Sequence, residues 1–167
     1  MNRPAARRRW LGLLPAVGLL SACGFQPRGI ARLPFQTLHI ALPSGSELGG
    51  RLRRQLRAGT DVKLVDDPAQ AQAIFQILSE SRENAVLSLD AQGIVREVEL
   101  RYRLSFRIHD GKGREFMPPT DISLRRDVAF NVSQQLASEA QQTVLYRDMQ
   151  SDAVQQVVRQ LAALGAR

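Results

Sequence analysis

The chain has 167 residues, enough for one domain with tails, and its 44% hydrophobic and 23% charged residues argue against long disorder. Of its formal net charge of +7, four units come from Arg3, Arg7, Arg8 and Arg9, and no acid precedes Cys23, so residues 23–167 carry only +3. Cys23 is the only cysteine, which excludes an internal disulfide and a multi-cysteine zinc site.

Met1 to Arg9 is a basic lead, Trp10 to Leu20 is apolar, and Ser21 and Ala22 are small. That order predicts a secretory signal over residues 1–22. The apolar run falls short of the roughly 20 residues that a membrane-spanning helix needs. Leu20-Ser21-Ala22-Cys23 resembles a bacterial lipobox. The resemblance implies a diacylglycerol on the Cys23 thiol, cleavage before it, and a further acyl chain on the new N-terminus. Several chains hold a protein on a membrane where one would release it. Gly24 follows the cysteine where an aspartate would signal inner-membrane retention, so the likeness to Gram-negative lipoproteins implies the outer membrane.

Gln26-Pro27-Arg28-Gly29 and Leu33-Pro34 read as an extended tether, giving a lipidated N-terminus over 23–34 and a domain over 35–167. Phe35 to Leu42 alternates in the manner of a strand, with Leu38, Ile40 and Leu42 on one face and Thr37 and His39 on the other. Ser44 stands three positions before Glu47, the spacing of a capping box. Leu48, Leu52 and Leu56 then make one helical stripe, and Gly59 is a stop signal. Gly49 and Gly50 inside that helix predict close packing. Val62 to Val65 is a short strand, and Ala73 to Ser79 and Asn84 to Leu89 both have strand character. Gly93 suits a turn that needs positive φ.

From Val98 to Ile108 every even position is apolar and every odd one charged or polar, so one sheet face meets a core and the other meets water. Arg101, Arg103 and Arg107 share the wet face. His109 to Gly113 is a turn, and Asp121 to Val132 is a further strand. Arg126 falls there on the apolar parity. Either a bulge at Arg125-Arg126 shifts the register, or Arg126 is buried against Glu97 or Glu99. Ser133 suits a cap. From Gln134 onward, apolar residues at spacings of three and four predict one long helix ending near Gly165. The sum is an α+β fold, a two-layer sandwich with two helices on one face of a mixed, mostly antiparallel sheet.

No nucleophile elbow, Walker loop, HExxH or CxxC is present, and no cofactor or metal site is predicted. His39 and His109 are remote in sequence. The basic strand lacks the interleaved aromatics of a nucleic-acid platform. An enzyme and a nucleic-acid partner are therefore not expected.

Cys23-Gly24-Phe25-Gln26-Pro27-Arg28-Gly29 resembles the N-terminal CGFxxRG of the LptE family, the lipopolysaccharide-assembly lipoproteins. So do the Leu-spaced helix, the Gly93 turn leading into Glu99-Leu100-Arg101-Tyr102, Arg126 to Asn131, and Glu139 to Met149 with its Leu145-Tyr146-Arg147-Asp148-Met149. The resemblance implies a noncatalytic protein with two helices on a mixed sheet. It implies a plug and assembly subunit for LptD, a large outer-membrane β-barrel, in lipopolysaccharide transport to the outer leaflet. It further implies lipopolysaccharide contact near the Gly93 turn and at the start of the last helix. Those stretches here read Asp90-Ala91-Gln92 and Ala137-Ser138-Glu139, which are not basic. Arg96, Arg101, Arg103, Arg125 and Arg126 are the basic candidates for lipid or partner contact in their place. The same anchor and basic face also fit an alternative, a periplasm-facing lipoprotein that binds phospholipid or glycolipid for a transporter.

Overall fold

A computed structural model describes residues 32–165; Cys23 and the expected signal lie outside that range. β1 (Thr37–Ala41) forms where the side chains alternate, with Leu38 and Ile40 buried and Thr37 and His39 on the opposite face. A turn closed by Ser46 N–H donating to the Pro43 carbonyl then leads into α1 (Glu47–Gly59). The N-cap is Ser46, whose hydroxyl accepts from Gly49 N–H at 3.1 Å, and not Ser44, which lies inside the turn. Glu47 pairs with Arg51 one turn on at 2.8 Å and does not reach back to close a capping box.

Leu48, Leu52 and Leu56 are all buried under α1, and full burial of one such side chain is worth about 2 kcal/mol. A Cβ on Gly49 would stand 3.3 Å from Leu42 Cβ, so the close packing expected of the glycine pair holds for that one. Thr60 ends the helix, its N–H and hydroxyl both donating to the Leu56 carbonyl.

β2 (Lys63–Val65) pairs parallel with β1, which pairs parallel with the start of β3 (Ala73–Leu89). β4 (Val95–His109) and β5 (Glu115–Ala129) then follow antiparallel, giving the order β2-β1-β3-β4-β5. The two expected strands at Ala73–Ser79 and Asn84–Leu89 are one strand of 17 residues. Its polar middle, Glu80-Ser81-Arg82-Glu83, stays paired because β4 runs beside it throughout. The turns after β3 and β4 use Gly93, Gly111 and Gly113 at positive φ.

β5 starts earlier and ends earlier than Asp121–Val132, and its pairing with β4 is unbroken from Asp121 to Ala129. Arg126 therefore sits on no bulge, and it is half-exposed and not buried. It lies on the helix face and pairs with Asp152 at 2.9 Å, not with Glu97 or Glu99. After β5, a 3-10 turn over Val132–Gln134 is capped by Asn131, whose side chain accepts from Ser133 N–H, so Asn131 takes the capping role expected of Ser133.

α2 (Gln135–Gly165) is about 46 Å long at 1.5 Å per residue. Met149, Ala153, Val154, Val157 and Leu161 pack its second half on the sheet beside α1, while Ala140 and Val144 in its first half are exposed. The core lies between helices and sheet. Phe75 stacks on Phe106 there, ring centroids 5.1 Å apart. Among the described residues, no helix is long and apolar enough to cross a membrane.

Candidate contact surfaces

The strand alternation gives β3, β4 and β5 one face with no helix on it. Arg101, Arg103, Ser105 and Arg107 of β4 project there, flanked by Ser79, Ser81 and Glu83 of β3 and by Asp121, Ser123, Arg125 and Asp127 of β5. Each β4 arginine has an acid beside it. Arg101 donates to Glu99 on its own strand, Arg103 lies 4.0 Å from Glu83, and Arg107 lies 3.7 Å from Glu115 while its Nε donates to Gln76 at 2.8 Å. The face is therefore charge-balanced, not a positive field; the exposed pairs of Arg103 and Arg107 add little stability, whereas Arg101 neutralises the buried Glu99 carboxylate. Arg125, opposite Arg101, has no ion-pair partner among the described residues.

The five candidate arginines do not form one cluster. Arg101, Arg103 and Arg125 share the open face, Arg126 is on the helix face, and Arg96 sits at the base of the β3–β4 turn. There the Asp90 carboxylate accepts from Gln92 N–H, Ile94 N–H and Arg96 Nε. Those donors, the Ile94 N–H foremost, hold Asp90 below the usual carboxylate range. Arg96 thus serves the turn.

On the helix face, sequence reasoning missed a polar network midway along the sheet. The Tyr102 hydroxyl donates to Glu80 at 2.8 Å, and Gln150 Nε2 donates to the same oxygen at 3.1 Å. Burial, with the Glu80 carboxylate as acceptor, pushes the Tyr102 hydroxyl up from its ordinary value. The Arg82 guanidinium lies 6.0 Å from the Tyr146 ring centroid, and the Tyr146 hydroxyl donates to the Glu83 carbonyl. Parity gave no signal for it, because a register shift between Ile77 and Ser79 moves the helix-facing side chains of β3 from odd to even positions.

The second feature missed is a set of exposed apolar side chains at the far end. Val86, Leu87 and Leu89 of β3, Ile94 in the turn, and Val132, Leu136 and Val144 around the start of α2 are all exposed, Leu136 to 83%. Such residues together on one end mark a contact surface more often than a solvated one.

His39 and His109, remote in sequence, flank Ile74 in one cross-strand row. Two strand spacings put them about 10 Å apart, too far to share an ion. Each ring is also engaged, His39 Nδ1 with the Val65 carbonyl and His109 Nδ1 with Gly111 N–H. No group of three potential metal ligands occurs among the described residues. The clefts are open and rimmed by charged side chains. One of about 220 Å³ lies between the helices at Arg51, Arg54, Gln55 and Ser151, and one of about 330 Å³ lies at His39, Arg53, Arg57 and Asp66.

Residues 35–161 match the family model described as "LptE: Lipopolysaccharide-assembly". The chain is 31% identical over 159 residues to the LPS-assembly lipoprotein LptE of Pectobacterium atrosepticum, covering 92% of this chain and 83% of the relative. It is 29% identical over 170 residues to the LPS-assembly lipoprotein LptE of Yersinia enterocolitica, covering 96% and 79%. Among solved structures it resembles a lipoprotein B of Nitrosomonas europaea, with a TM-score of 0.71, 40% identity, and 86% and 93% of the two chains covered. It also resembles the rare lipoprotein B of Shewanella oneidensis, with a TM-score of 0.66, 27% identity, and 76% and 94% covered.

Proposed function

Because the chain belongs to the LptE family of lipopolysaccharide-assembly lipoproteins, a noncatalytic family of the cell envelope, we propose that it is the plug and assembly subunit of the outer-membrane β-barrel LptD. In this reading residues 1–22 are removed as a signal, Cys23 carries the lipid anchor in the outer membrane, residues 23–34 are the tether, and residues 35–167 form the domain that enters the barrel.

The observation that carries the proposal is the helix-free sheet face. A large barrel has a polar interior, and an empty one leaks. A plug must present a broad wall that is wettable yet not strongly of one sign. The open face is that kind of wall, with arginines and acids interspersed over β3, β4 and β5. Arg101, Arg103 and Arg125 are the proposed wall contacts. Arg96 and Arg126, already engaged with Asp90 and Asp152, are secondary ones. A carrier of single lipids needs an apolar groove, whereas the described clefts are rimmed by charge, so the alternative is not favoured.

Native co-purification tests this. Solubilised outer membrane, captured on the mature chain, is expected to yield a large heat-modifiable barrel protein. The double variant Arg103→Glu, Arg125→Glu is expected to lower that yield while the melting temperature stays within a few degrees, since both side chains are exposed on the open face. Recovery of the wild-type chain without a barrel overturns the proposal. Cys23→Ala is expected to abolish acylation, read by intact mass, and to leave the domain folded.

A further inference from the structure

One end of the sandwich receives the tether. There the last turn of α2 meets the incoming chain so closely that a Cβ on Gly165 would stand 1.5 Å from the Arg32 carbonyl oxygen. The same end holds Lys63 at the start of β2, whose N–H donates to the Gln36 carbonyl at 2.9 Å, and the β4–β5 turn with Lys112 and Arg114. An open cleft of about 450 Å³ lies beside that turn, with Pro34 of the tether and Phe35 on one side and Asp110, Lys112, Arg114 and Phe116 on the other.

Arg114 is held in place there. Its guanidinium lies 4.7 Å from the Phe116 ring centroid, and that ring meets Phe35 edge-on at 5.2 Å. None of the ion pairs among the described residues uses Lys63, Lys112 or Arg114. The acids nearby are fewer than the cations: Glu115 faces Arg107, which leaves Asp110, an ionised carboxylate held in its own turn by Lys112 N–H and Arg114 N–H, and the exposed Asp61. The sequence before the domain adds to the imbalance, since Arg28 and Arg32 are charged and no acid occurs between Cys23 and Glu47. Both lysines of the chain are at this end, whereas the opposite end exposes apolar residues.

We propose that this tether-side end, with Lys112 and Arg114 on the Phe35–Phe116 cleft and Lys63 at the β2 edge of the same end, is a docking face for the anionic phospholipid headgroups of the leaflet that holds the anchor. The proposal rests on the lipidation reading above. From Cys23 to Arg32 the chain spans at most about 30 Å, so an acylated protein keeps this end close to the bilayer. That length lets this end come down onto the bilayer, and within a Debye length of the surface, ~10 Å, the negative potential strengthens binding by about fivefold for each cation. Acyl chains fix the protein to the membrane; the basic end sets which way the domain stands on it.

Having only two lysines makes the test clean. The mature lipidated chain is reconstituted into phosphatidylcholine vesicles, with or without phosphatidylglycerol, and treated with an amine-acetylating reagent. Mass spectrometry then reads the rate at each lysine. Acetylation of Lys63 and Lys112 is expected to slow about fivefold when phosphatidylglycerol is present, and to recover in high salt. Arg114→Glu is expected to remove most of the protection at Lys112. A control lysine at the far end, from Arg96→Lys, is expected to react equally in both vesicles.

Equal rates at Lys112 with and without phosphatidylglycerol overturn the proposal. So does protection that inorganic phosphate reproduces in phosphatidylcholine vesicles, which would mean a free-phosphate site. Protection that appears only with the barrel present and ignores lipid charge assigns the face to protein and also overturns it. If intact mass shows no acyl chains, the lipidation reading fails by itself. Cosedimentation of the same chain with phosphatidylglycerol vesicles then decides the basic face alone: pelleting supports it, and none overturns it.

Discussion

The two ends of the sandwich share the same three long strands but are built to opposite ends. At the tether side the sheet is five strands wide, and both helices cover it over Phe75, Phe106, Ile108, Leu52 and Leu161. At the far side β1 and β2 have ended, α1 has not begun, and only the first turns of α2 accompany β3, β4 and β5. There Val86, Leu89, Ile94 and Leu136 face outward. Stability is concentrated where two layers close on each other. The far end keeps its shape through strand pairing and leaves its apolar groups available. Uneven stability of this kind is usual where a protein must meet a partner.

The largest expected effect breaks the comparison most directly. Phe106 is fully buried and stacked on Phe75, so Phe106→Ala is expected to cost about 3–5 kcal/mol in chemical denaturation. Leu136→Ser is expected to change stability by less than about 0.5 kcal/mol, since the side chain is already in water, yet to lower recovery of the barrel. If Leu136→Ser destabilised the domain as Phe106→Ala does, the far end would be part of the core and the contrast would fail.

The Tyr102–Glu80–Gln150 network lies between the two ends and sharpens the boundary. Tyr102→Phe removes a donor to a partly buried carboxylate, and its expected cost is about 1–2 kcal/mol. The pH dependence has a definite sign. The Tyr102 hydroxyl titrates higher in the folded chain than in the unfolded one, so above about pH 10 the folded state holds the proton that the unfolded state releases. Stability should therefore fall as pH rises beyond 10, and Tyr102→Phe should flatten that limb. A wild-type profile level to pH 11 in denaturant titrations would place Tyr102 in contact with water.

Much of the fold was legible because burial imposes a period. The strict alternation over Val98–Ile108 marked β4, the Leu48-Leu52-Leu56 stripe marked α1, and Gly93 marked its turn. The middle of β3 was not legible as strand, since Glu80 and Arg82 face Tyr102, Gln150 and Tyr146 and not an apolar layer. The cap moved from Ser44 to Ser46 because a turn ahead of the helix consumed two residues, which spacing alone does not reveal. The candidate site was legible only by residue type. Which acid stands beside Arg103 depends on the register of β3 against β4, and the exposure of Leu136 depends on α1 beginning only midway along the sheet. Both are properties of assembled layers.

Arg126 gives the smallest effect and the finest test of where the boundary lies. It breaks the apolar parity of β5, and Asp152 in the middle of α2 answers it at 2.9 Å. The two side chains are 51% and 42% exposed, so water screens the pair and ordering two long side chains offsets part of the attraction. A double-mutant cycle of Arg126→Ala and Asp152→Ala is expected to give a coupling below about 1 kcal/mol that fades with added salt. Coupling of several kcal/mol would mean that the layers are closed and dry as far as Arg126. A small one keeps this pair as a register mark at the edge of the core, orienting α2 over β5 just before the helix runs out to the exposed end.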